Sequence, residues 1–178
     1  PLRVDVNCAW SLDEAVRAAQ GMARLPIHWL EEPLYPPDDH DALAGLQQQT
    51  QIPLAAGENA PSLHDLHRML ARGVLDYVQP SVTKIGGITA MRQVYEWAAA
   101  RGARVAPHSP YFGPGLLATV HLCAALAPET LVEHLFYDLQ PGPFDAALPQ
   151  DGRFAVPQAP GLGMDPDPEL LQACSIPA

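Results

Sequence analysis

Residues 27–33 have the sequence Ile-His-Trp-Leu-Glu-Glu-Pro, in which a short apolar run ends in two carboxylates and a proline. A run of this length beside a turn residue is typical of a buried strand. Similar runs recur along the chain and alternate with segments of helical periodicity. The predicted strands are residues 2–6, 27–30, 53–56, 77–82, 104–106 and 131–135. This alternation predicts an α/β fold with a parallel sheet.

The helices between these strands have recognisable start and stop signals. Ser11 and Ser62 are each followed three residues later by an acid, which is a capping pattern, and Gly73 is a typical helix end. The predicted helices begin near residues 11, 39, 62, 88 and 115. Pro, Gly and Asp are frequent in the last 40 residues, so we expect a surface tail there, with one short strand at residues 154–156.

The residues that close the six predicted strands are spaced at intervals of 26, 27, 23, 27 and 25, and they are Asp5, Glu31, Glu58, Ser81, His108 and Glu133. Eight strand–helix units of about this length make up a (β/α) TIM-type barrel of about 250 residues. We therefore expect barrel units over residues 1–140 and a C-terminal tail over residues 141–178. Active sites of this fold lie at the carboxyl ends of the strands, so these side chains are candidate functional residues.

Asp5, Glu31 and Glu58 are acids that directly follow apolar strand residues. Converging carboxylates repel one another, and a bound Mg²⁺ would relieve that repulsion with the oxygen ligands it prefers. An alternative is that the acids are ordinary polar loop residues. Strand side chains alternate in direction, so either Glu31 or Glu32 faces the site, and spacing does not decide between them.

Composition excludes several classes of function. The chain has 178 residues and a net charge of −10, without a cluster of Lys and Arg, so nucleic acid is not an expected partner. No apolar run approaches the ~20 residues needed to cross a bilayer, so no membrane segment is expected. The three cysteines are widely spaced and are expected to be free thiols. We expect a cytoplasmic protein.

Five short motifs resemble, in order and spacing, the barrel domain of the enolase superfamily. More narrowly, they resemble its mandelate racemase and acid-sugar dehydratase group. The resemblance extends from Leu2 to about Gly163, and its motifs are Asp5-Val6-Asn7, Trp29-Leu30-Glu31-Glu32-Pro33, Gly57-Glu58-Asn59, Lys84-Ile85-Gly86-Gly87 and Pro107-His108-Ser109.

The resemblance implies specific roles for the strand-end residues. Asp5, Glu31 and Glu58 would bind Mg²⁺, or Mn²⁺ in its place, which selects Glu31 over Glu32. His108 would be a general acid/base, a role that suits an imidazole because it titrates near neutrality, although a lone histidine is often only a hydrogen-bonding residue. Glu133 would hydrogen-bond the substrate carboxylate. The residues expected to orient the site or lie near the metal carboxylates are Asn7, Asn59, Ser81 and Lys84.

Ser81 departs from the pattern of the group it resembles, which usually has an aspartate there to orient the histidine. A hydroxyl can accept a hydrogen bond from imidazole but does not stabilise imidazolium by charge. The sequence therefore predicts a weaker base at His108 than in the usual aspartate–histidine pair.

The implied activity is the Mg²⁺-assisted removal of the α-proton from the carboxylate of a hydroxy acid or sugar acid. Dehydration is favoured because one histidine can act first as base and then as acid towards the leaving hydroxyl. The alternatives are a racemase, epimerase or cycloisomerase of the same superfamily, or a catalytically silent barrel that binds a metal or an acid.

The resemblance places Asp5 on the third strand of a barrel of eight, so the chain should supply about strands 3 to 8. We expect it to be the C-terminal part of a longer polypeptide that also provides an N-terminal capping domain and the first strands. The tail would pack on the barrel or on that capping domain. We further expect a homo-oligomer.

Overall fold

The computed structural model describes residues 1–136 and 148–175, and the chain divides into two compact units, Pro1–His108 and Ser109–Ala178. The elements of the first unit are β1 (Leu2–Asp5), α1 (Leu12–Met22), β2 (Ile27–Glu31), α2 (His40–Gln47), β3 (Leu54–Ala56), α3 (Leu63–Ala71), β4 (Tyr77–Val78), α4 (Ile88–Ala99) and β5 (Arg104–Val105). The second unit contains α5 (Pro114–Leu126) and α6 (Pro168–Ala173). Within the described ranges, every helix is too short or too polar to cross a membrane.

The five strands of the first unit form one parallel sheet in chain order, from β1 to β5. A helix lies between each strand and the next, as parallel pairing requires of a crossover connection. Asp5 at the end of β1 lies opposite Glu31 at the end of β2, and Glu31 lies opposite Ala55 of β3. The predicted parallel α/β arrangement is confirmed for these strands, and their carboxyl ends meet at one edge of the sheet.

The apolar core of the first unit is built from the central strands and the inward faces of the helices. All three residues of β3 are buried, with Leu54 and Ala55 at 0% exposure. A strand covered on both faces has this continuous apolar character. Fully buried leucines and methionines on α3 and α4, namely Leu66, Leu70 and Met91, complete this part of the core.

The capping signals of the sequence begin the helices as predicted. The Glu14 carboxylate accepts hydrogen bonds from the Ser11 amide at 2.9 Å and the Ser11 hydroxyl at 2.7 Å, and α1 begins at the next residue after Ser11. The Ser62 hydroxyl accepts from the Asp65 amide at the start of α3. These side chains satisfy amides that have no partner within the helix.

The prediction of a sixth strand at residues 131–135 is wrong, because this segment has no regular secondary structure. Its carbonyl at Glu133 accepts from the Ser109 hydroxyl at 2.8 Å. An apolar run becomes a strand only when a neighbouring strand supplies amide and carbonyl partners. Within the described residues the sheet ends at β5, so this run is held by side-chain contacts.

The tail also differs from its prediction. Residues 154–156 do not form a strand, and only an isolated antiparallel bridge joins Gln150 and Arg153. The short helix α6 was not predicted. Its signal was present, because Asp167 caps the amides of Glu169 and Leu170 and Pro168 occupies the first turn. The predicted boundary between residues 140 and 141 lies outside the described residues and stays a prediction.

Gly57 makes the turn from β3 towards Glu58. Its φ angle is 130°, a conformation that side chains other than hydrogen disfavour. A Cβ atom at this position would lie 3.1 Å from the Leu66 Cδ2 atom and 3.2 Å from the Gln79 backbone nitrogen. A glycine is therefore required at this point, where the chain delivers Glu58 to the edge of the sheet.

We expect Gly57→Ala to lower the free energy of unfolding by roughly 2–4 kcal/mol, because backbone strain of about 1–3 kcal/mol is added to side-chain crowding. The matched control is Gly73→Ala. Gly73 also has a positive φ of 66° but has no atom within 4 Å of the added Cβ, so its loss should be only about 1–2 kcal/mol, the cost of the left-handed conformation alone. Urea denaturation of the native polypeptide that contains this chain measures both values. Equal losses in the two variants would show that the contacts at Gly57 are not restrictive.

Candidate functional site

The carboxyl edge of the sheet in the first unit brings three of the predicted ligand residues together. Asp5 and Glu31 lie in register on neighbouring strands, and Glu58 follows β3 one residue beyond Gly57. The pKa of Glu31 is raised, mainly because burial disfavours its charge and further because Asp5 and Glu58 repel it. The predicted mutual repulsion of these acids is therefore present, although desolvation contributes more to the shift.

Glu31 and Glu32, between which spacing did not decide, have different surroundings. Glu31 is partly exposed, and its Oε2 accepts a hydrogen bond of 2.7 Å from the Trp29 indole Nε1. Glu32 is 2% exposed, and its Oε1 accepts from the Gly57 amide at 2.8 Å. The two side chains therefore have different tasks, and Glu32 ties the end of β2 to the turn after β3.

Burial determines the electrostatics around Glu32. Its pKa is raised, first by desolvation, while hydrogen bonds from Gly57, Cys8 and Asn59 partly offset that effect. Burial and the neighbouring Glu32 also raise the pKa of the Cys8 thiol to about 12. A thiol with this pKa is protonated at neutral pH and is a weak nucleophile.

The two asparagines predicted to orient the site act in different ways. Asn7 is in a left-handed conformation with a φ of 49°, and its backbone amide donates to the Asp5 Oδ1 at 2.9 Å. The side-chain nitrogen of Asn59 lies 3.4 Å from the Cys8 sulfur. Asn7 therefore contacts the predicted ligand Asp5 through its backbone. Asn59 contacts Cys8, whose thiol in turn lies 3.5 Å from the Glu32 carboxylate.

Glu58 contacts a histidine and a lysine at this edge. Its Oε2 lies 2.8 Å from the His108 Nδ1, and the two side chains are 14% and 17% exposed, respectively. The hydrogen bond from His108 is the largest cause of the lowered pKa of Glu58. Lys84 donates from its Nζ to the backbone carbonyl of Glu58 at 2.8 Å. The structure thus joins a predicted metal ligand directly to the predicted general acid/base.

Ser81 is 1% exposed, and its hydroxyl lies 2.9 Å from the Thr83 hydroxyl. The carboxylate found at the His108 Nδ1 is that of Glu58, from a different strand end. The charge that the sequence lacks at position 81 is therefore provided by a neighbouring acid in this structure.

Glu133 belongs to the second unit and is exposed. Its Oε2 accepts from the Ser109 amide at 2.9 Å, and its carbonyl accepts from the Ser109 hydroxyl at 2.8 Å. Ser109 therefore fixes both the backbone and the carboxylate of Glu133.

The three acids at this edge have the donor chemistry of a divalent-metal site but do not converge on one point. Across residues 1–136 and 148–175, no group of three or more His, Cys, Asp or Glu side chains is placed so that it could hold a metal ion as it stands. Each acid instead has a local partner, which is Asn7 for Asp5, Trp29 for Glu31 and His108 for Glu58. The donor chemistry fits a hard divalent cation, because carboxylate oxygens on adjacent strand ends repel one another and such a cation would neutralise them.

Two functional neighbours were missed by the sequence analysis. The Trp29 indole donates to the Glu31 carboxylate at 2.7 Å, and hydrogen bonding from Gln79 opposes the rise in the pKa of Glu31. The alternation of strand side chains places Trp29 on the same face as Glu31, which was the available signal. The effect of Gln79 has no such local signal, because Gln79 follows β4 and is distant from Glu31 in sequence.

Comparison with known proteins identifies the family. The sequence profile described as enolase C-terminal domain-like matches residues 1–170 of the chain. The chain belongs to this family. Family membership and the parallel sheet confirm the predicted fold class, that of a (β/α) barrel.

Two curated relatives illustrate the range of activities within the enolase superfamily. The 3,6-anhydro-alpha-L-galactonate cycloisomerase of Streptomyces coelicolor is 33% identical over 176 residues, which are 99% of this chain and 47% of the relative. The L-talarate/galactarate dehydratase of Salmonella typhimurium is 32% identical over 165 residues, which are 92% of this chain and 39% of the relative. The chain thus spans less than half the length of either relative.

Two solved structures of the superfamily resemble the chain closely. A mandelate racemase/muconate lactonizing protein from Paracoccus denitrificans PD1222, complexed with magnesium, has a TM-score of 0.86 and is 32% identical in sequence. The match covers 96% of this chain and 46% of the Paracoccus chain. The L-talarate dehydratase from Polaromonas sp. JS666, complexed with Mg and L-glucarate, has a TM-score of 0.81 and is 31% identical in sequence. The match covers 97% of this chain and 46% of the dehydratase chain.

We expect Glu32→Gln to stabilise the protein at neutral pH. Burial raises the pKa of Glu32 in the folded state. The free energy of unfolding of the wild-type protein should therefore fall as pH rises from the ordinary glutamate pKa to this raised pKa, because the folded protein must ionise a buried acid. A glutamine keeps an oxygen that can accept from the Gly57 amide but has no charge to bury. The variant's advantage should be absent below the ordinary glutamate pKa and should grow above it.

Thermal unfolding between acid and neutral pH measures this difference. Glu14→Gln is the control, since Glu14 has a lowered pKa and hydrogen bonds from Ser11, so its replacement should destabilise rather than stabilise at neutral pH. A Glu32 variant whose stability difference does not change with pH would contradict the assigned burial of charge.

Proposed function

We propose that the native polypeptide containing this chain is a Mg²⁺-dependent enzyme that removes the α-proton of a hydroxy-acid or sugar-acid carboxylate and then eliminates a β-hydroxyl. The observation that supports this most directly is the 2.8 Å contact between His108 and Glu58. It joins an acid/base group to a carboxylate at the edge where Asp5 and Glu31 lie in register.

Asp5, Glu31 and Glu58 are the residues that would hold Mg²⁺, or Mn²⁺ in its place. A divalent cation at this edge would act as a Lewis acid and stabilise negative charge on a substrate carboxylate oxygen. The magnesium present in structures of the relatives supports the choice of cation. Asn7 would hold the Asp5 carboxylate in place through its amide.

His108 would take the α-proton and later donate a proton to the leaving hydroxyl. An imidazole suits both steps because its proton affinity is close to neutral pH. Glu58 would fix the tautomer by accepting from Nδ1 and would stabilise the imidazolium by charge. This role is the one that an aspartate at position 81 would otherwise fill.

Glu133 would hydrogen-bond the substrate carboxylate. Its Oε2 already accepts from the Ser109 amide, so the other carboxyl oxygen would make the hydrogen bond to the substrate. A donor aimed at developing negative charge lowers the barrier because the interaction strengthens in the transition state.

A second candidate reaction is cycloisomerisation, which the 33% identical relative from Streptomyces coelicolor favours. It shares the first step and differs in the fate of the resulting anion. Racemisation would need a second base. A catalytically silent barrel is the remaining alternative, supported by the serine at position 81.

The proposal also covers the partners and location of the protein. We propose a small carboxylate as substrate, an N-terminal capping domain, a homo-oligomer and a cytoplasmic location.

We expect Glu58→Gln to weaken Mg²⁺ binding by more than about 100-fold, because a direct carboxylate ligand contributes more than the outer partners whose loss costs 10–100-fold. Isothermal titration calorimetry on the native polypeptide measures the affinity. Glu14→Gln removes an acid from the exposed start of α1 and should leave the affinity unchanged. Undiminished binding in the Glu58 variant would exclude this residue as a ligand.

We expect His108→Asn to slow exchange of the substrate α-proton into D₂O by about 10²–10⁴-fold. Mg²⁺ affinity should stay within a few-fold, because the asparagine side-chain amide can still donate a hydrogen bond to the Glu58 carboxylate. Proton NMR with a panel of acid sugars that includes galactarate and xylonate measures the exchange. His64→Asn, on the exposed side of α3, is the matched control and should exchange at the wild-type rate. An unchanged rate in the His108 variant would remove this histidine from the mechanism.

A further inference from the structure

Trp29 is directed at Glu31 by the geometry of β2. The two residues are separated by one position on the strand, so their side chains lie on the same face. The indole Nε1 donates to the Glu31 Oε2 at 2.7 Å, and Trp29 is 7% exposed. A short hydrogen bond to a charged group in a partly buried setting constrains the carboxylate, since water competes less for it than at the surface.

The indole ring is itself held in place on several sides. The Arg3 guanidinium lies 4.3 Å from the ring centre, and the Tyr77 and His28 rings lie 4.7 Å and 5.1 Å away. Cation–π and tilted aromatic contacts of this kind favour one orientation of the ring. The position of the N–H donor is therefore determined by strands β1, β2 and β4 together.

Gln79 provides a second donor to the same carboxylate. It is 4% exposed, and hydrogen bonding from its side chain opposes the rise in the pKa of Glu31. Only the amide nitrogen can donate to a carboxylate, and among the described residues the Gln79 Oε1 has no hydrogen-bond partner. Leaving a buried acceptor unpaired costs about 1–3 kcal/mol, so the amide is oriented by its nitrogen and not by its oxygen.

We propose that Trp29 and Gln79 are positioning residues that hold the Glu31 carboxylate for a divalent cation. Both are neutral, and the indole N–H and the amide N–H₂ donate without adding charge or competing as ligands. This inference rests on the proposed metal-dependent function and adds to it the residues that determine cation selectivity. Mg²⁺ requires near-ideal octahedral geometry, whereas Ca²⁺ tolerates flexible and bidentate carboxylates. A carboxylate held by two donors therefore favours Mg²⁺ over Ca²⁺.

The test is calorimetric titration of the native polypeptide with MgCl₂ and with CaCl₂. Trp29→Phe keeps an aromatic ring between Arg3 and Tyr77 but removes the N–H, and Gln79→Met keeps the length but removes the amide. Each should weaken Mg²⁺ binding by about 10-fold, and the double variant by up to about 100-fold, which is the usual effect of losing outer partners. Ca²⁺ affinity should change by less than about threefold, because Ca²⁺ accepts varied carboxylate geometry.

Trp97→Phe is the matched control. It makes the same substitution on α4, at a tryptophan whose ring packs against the His67 ring with 4.6 Å between the ring centres. Both affinities should equal those of the unsubstituted protein. Thermal unfolding without metal identifies any variant that fails to fold, and either single variant suffices for the comparison.

Three outcomes would overturn the inference. Unchanged Mg²⁺ affinity in both single variants would show that the two donors do not position Glu31. An equal loss for Mg²⁺ and Ca²⁺ would assign them a general structural role. If the unsubstituted protein does not bind Mg²⁺, the proposed function fails and this inference fails with it, a result distinct from the first two.

Discussion

The concentration of negative charge at the carboxyl edge of the parallel sheet is the constraint on which the rest of the site depends. Asp5, Glu31, Glu32 and Glu58 approach this edge from three neighbouring strands. Each needs a donor, because burial penalises a carboxylate that is not hydrogen-bonded. The opposing directions of the pKa shifts, up for Glu31 and Glu32 and down for Glu58, follow from which acid has a basic partner.

The four acids divide into separate tasks because their partners differ. Glu32 is buried and accepts from a turn amide, so it stabilises the edge without facing solvent. Glu31 is held by neutral donors, and Glu58 by a histidine. A site that presents oxygen ligands needs some acids to maintain the backbone so that others can stay available. The glycine at position 57 makes this division possible, since a side chain there would crowd Leu66.

The serine at position 81 shows how a local substitution is compensated in the fold. A hydroxyl there supplies no charge to a histidine, and it interacts with Thr83 instead. Glu58 reaches the His108 Nδ1 from another strand end. Convergence of strand ends permits this exchange of roles, because side chains from strands distant in sequence lie within one hydrogen-bond length. It would also join the proposed ligand and acid/base roles, so that a change at Glu58 should affect both.

The sequence by itself determined the order of strands and helices in the first unit, the starts of α1 and α3, and the phase in which acids close successive strands. Those features depend on local periodicity and on capping contacts three residues apart. Only the tertiary structure decided that Gln79 acts on Glu31, that Glu58 pairs with His108, and that residues 131–135 are not a strand. Each of these depends on hydrogen-bond partners that lie far away along the chain, and no local pattern specifies them.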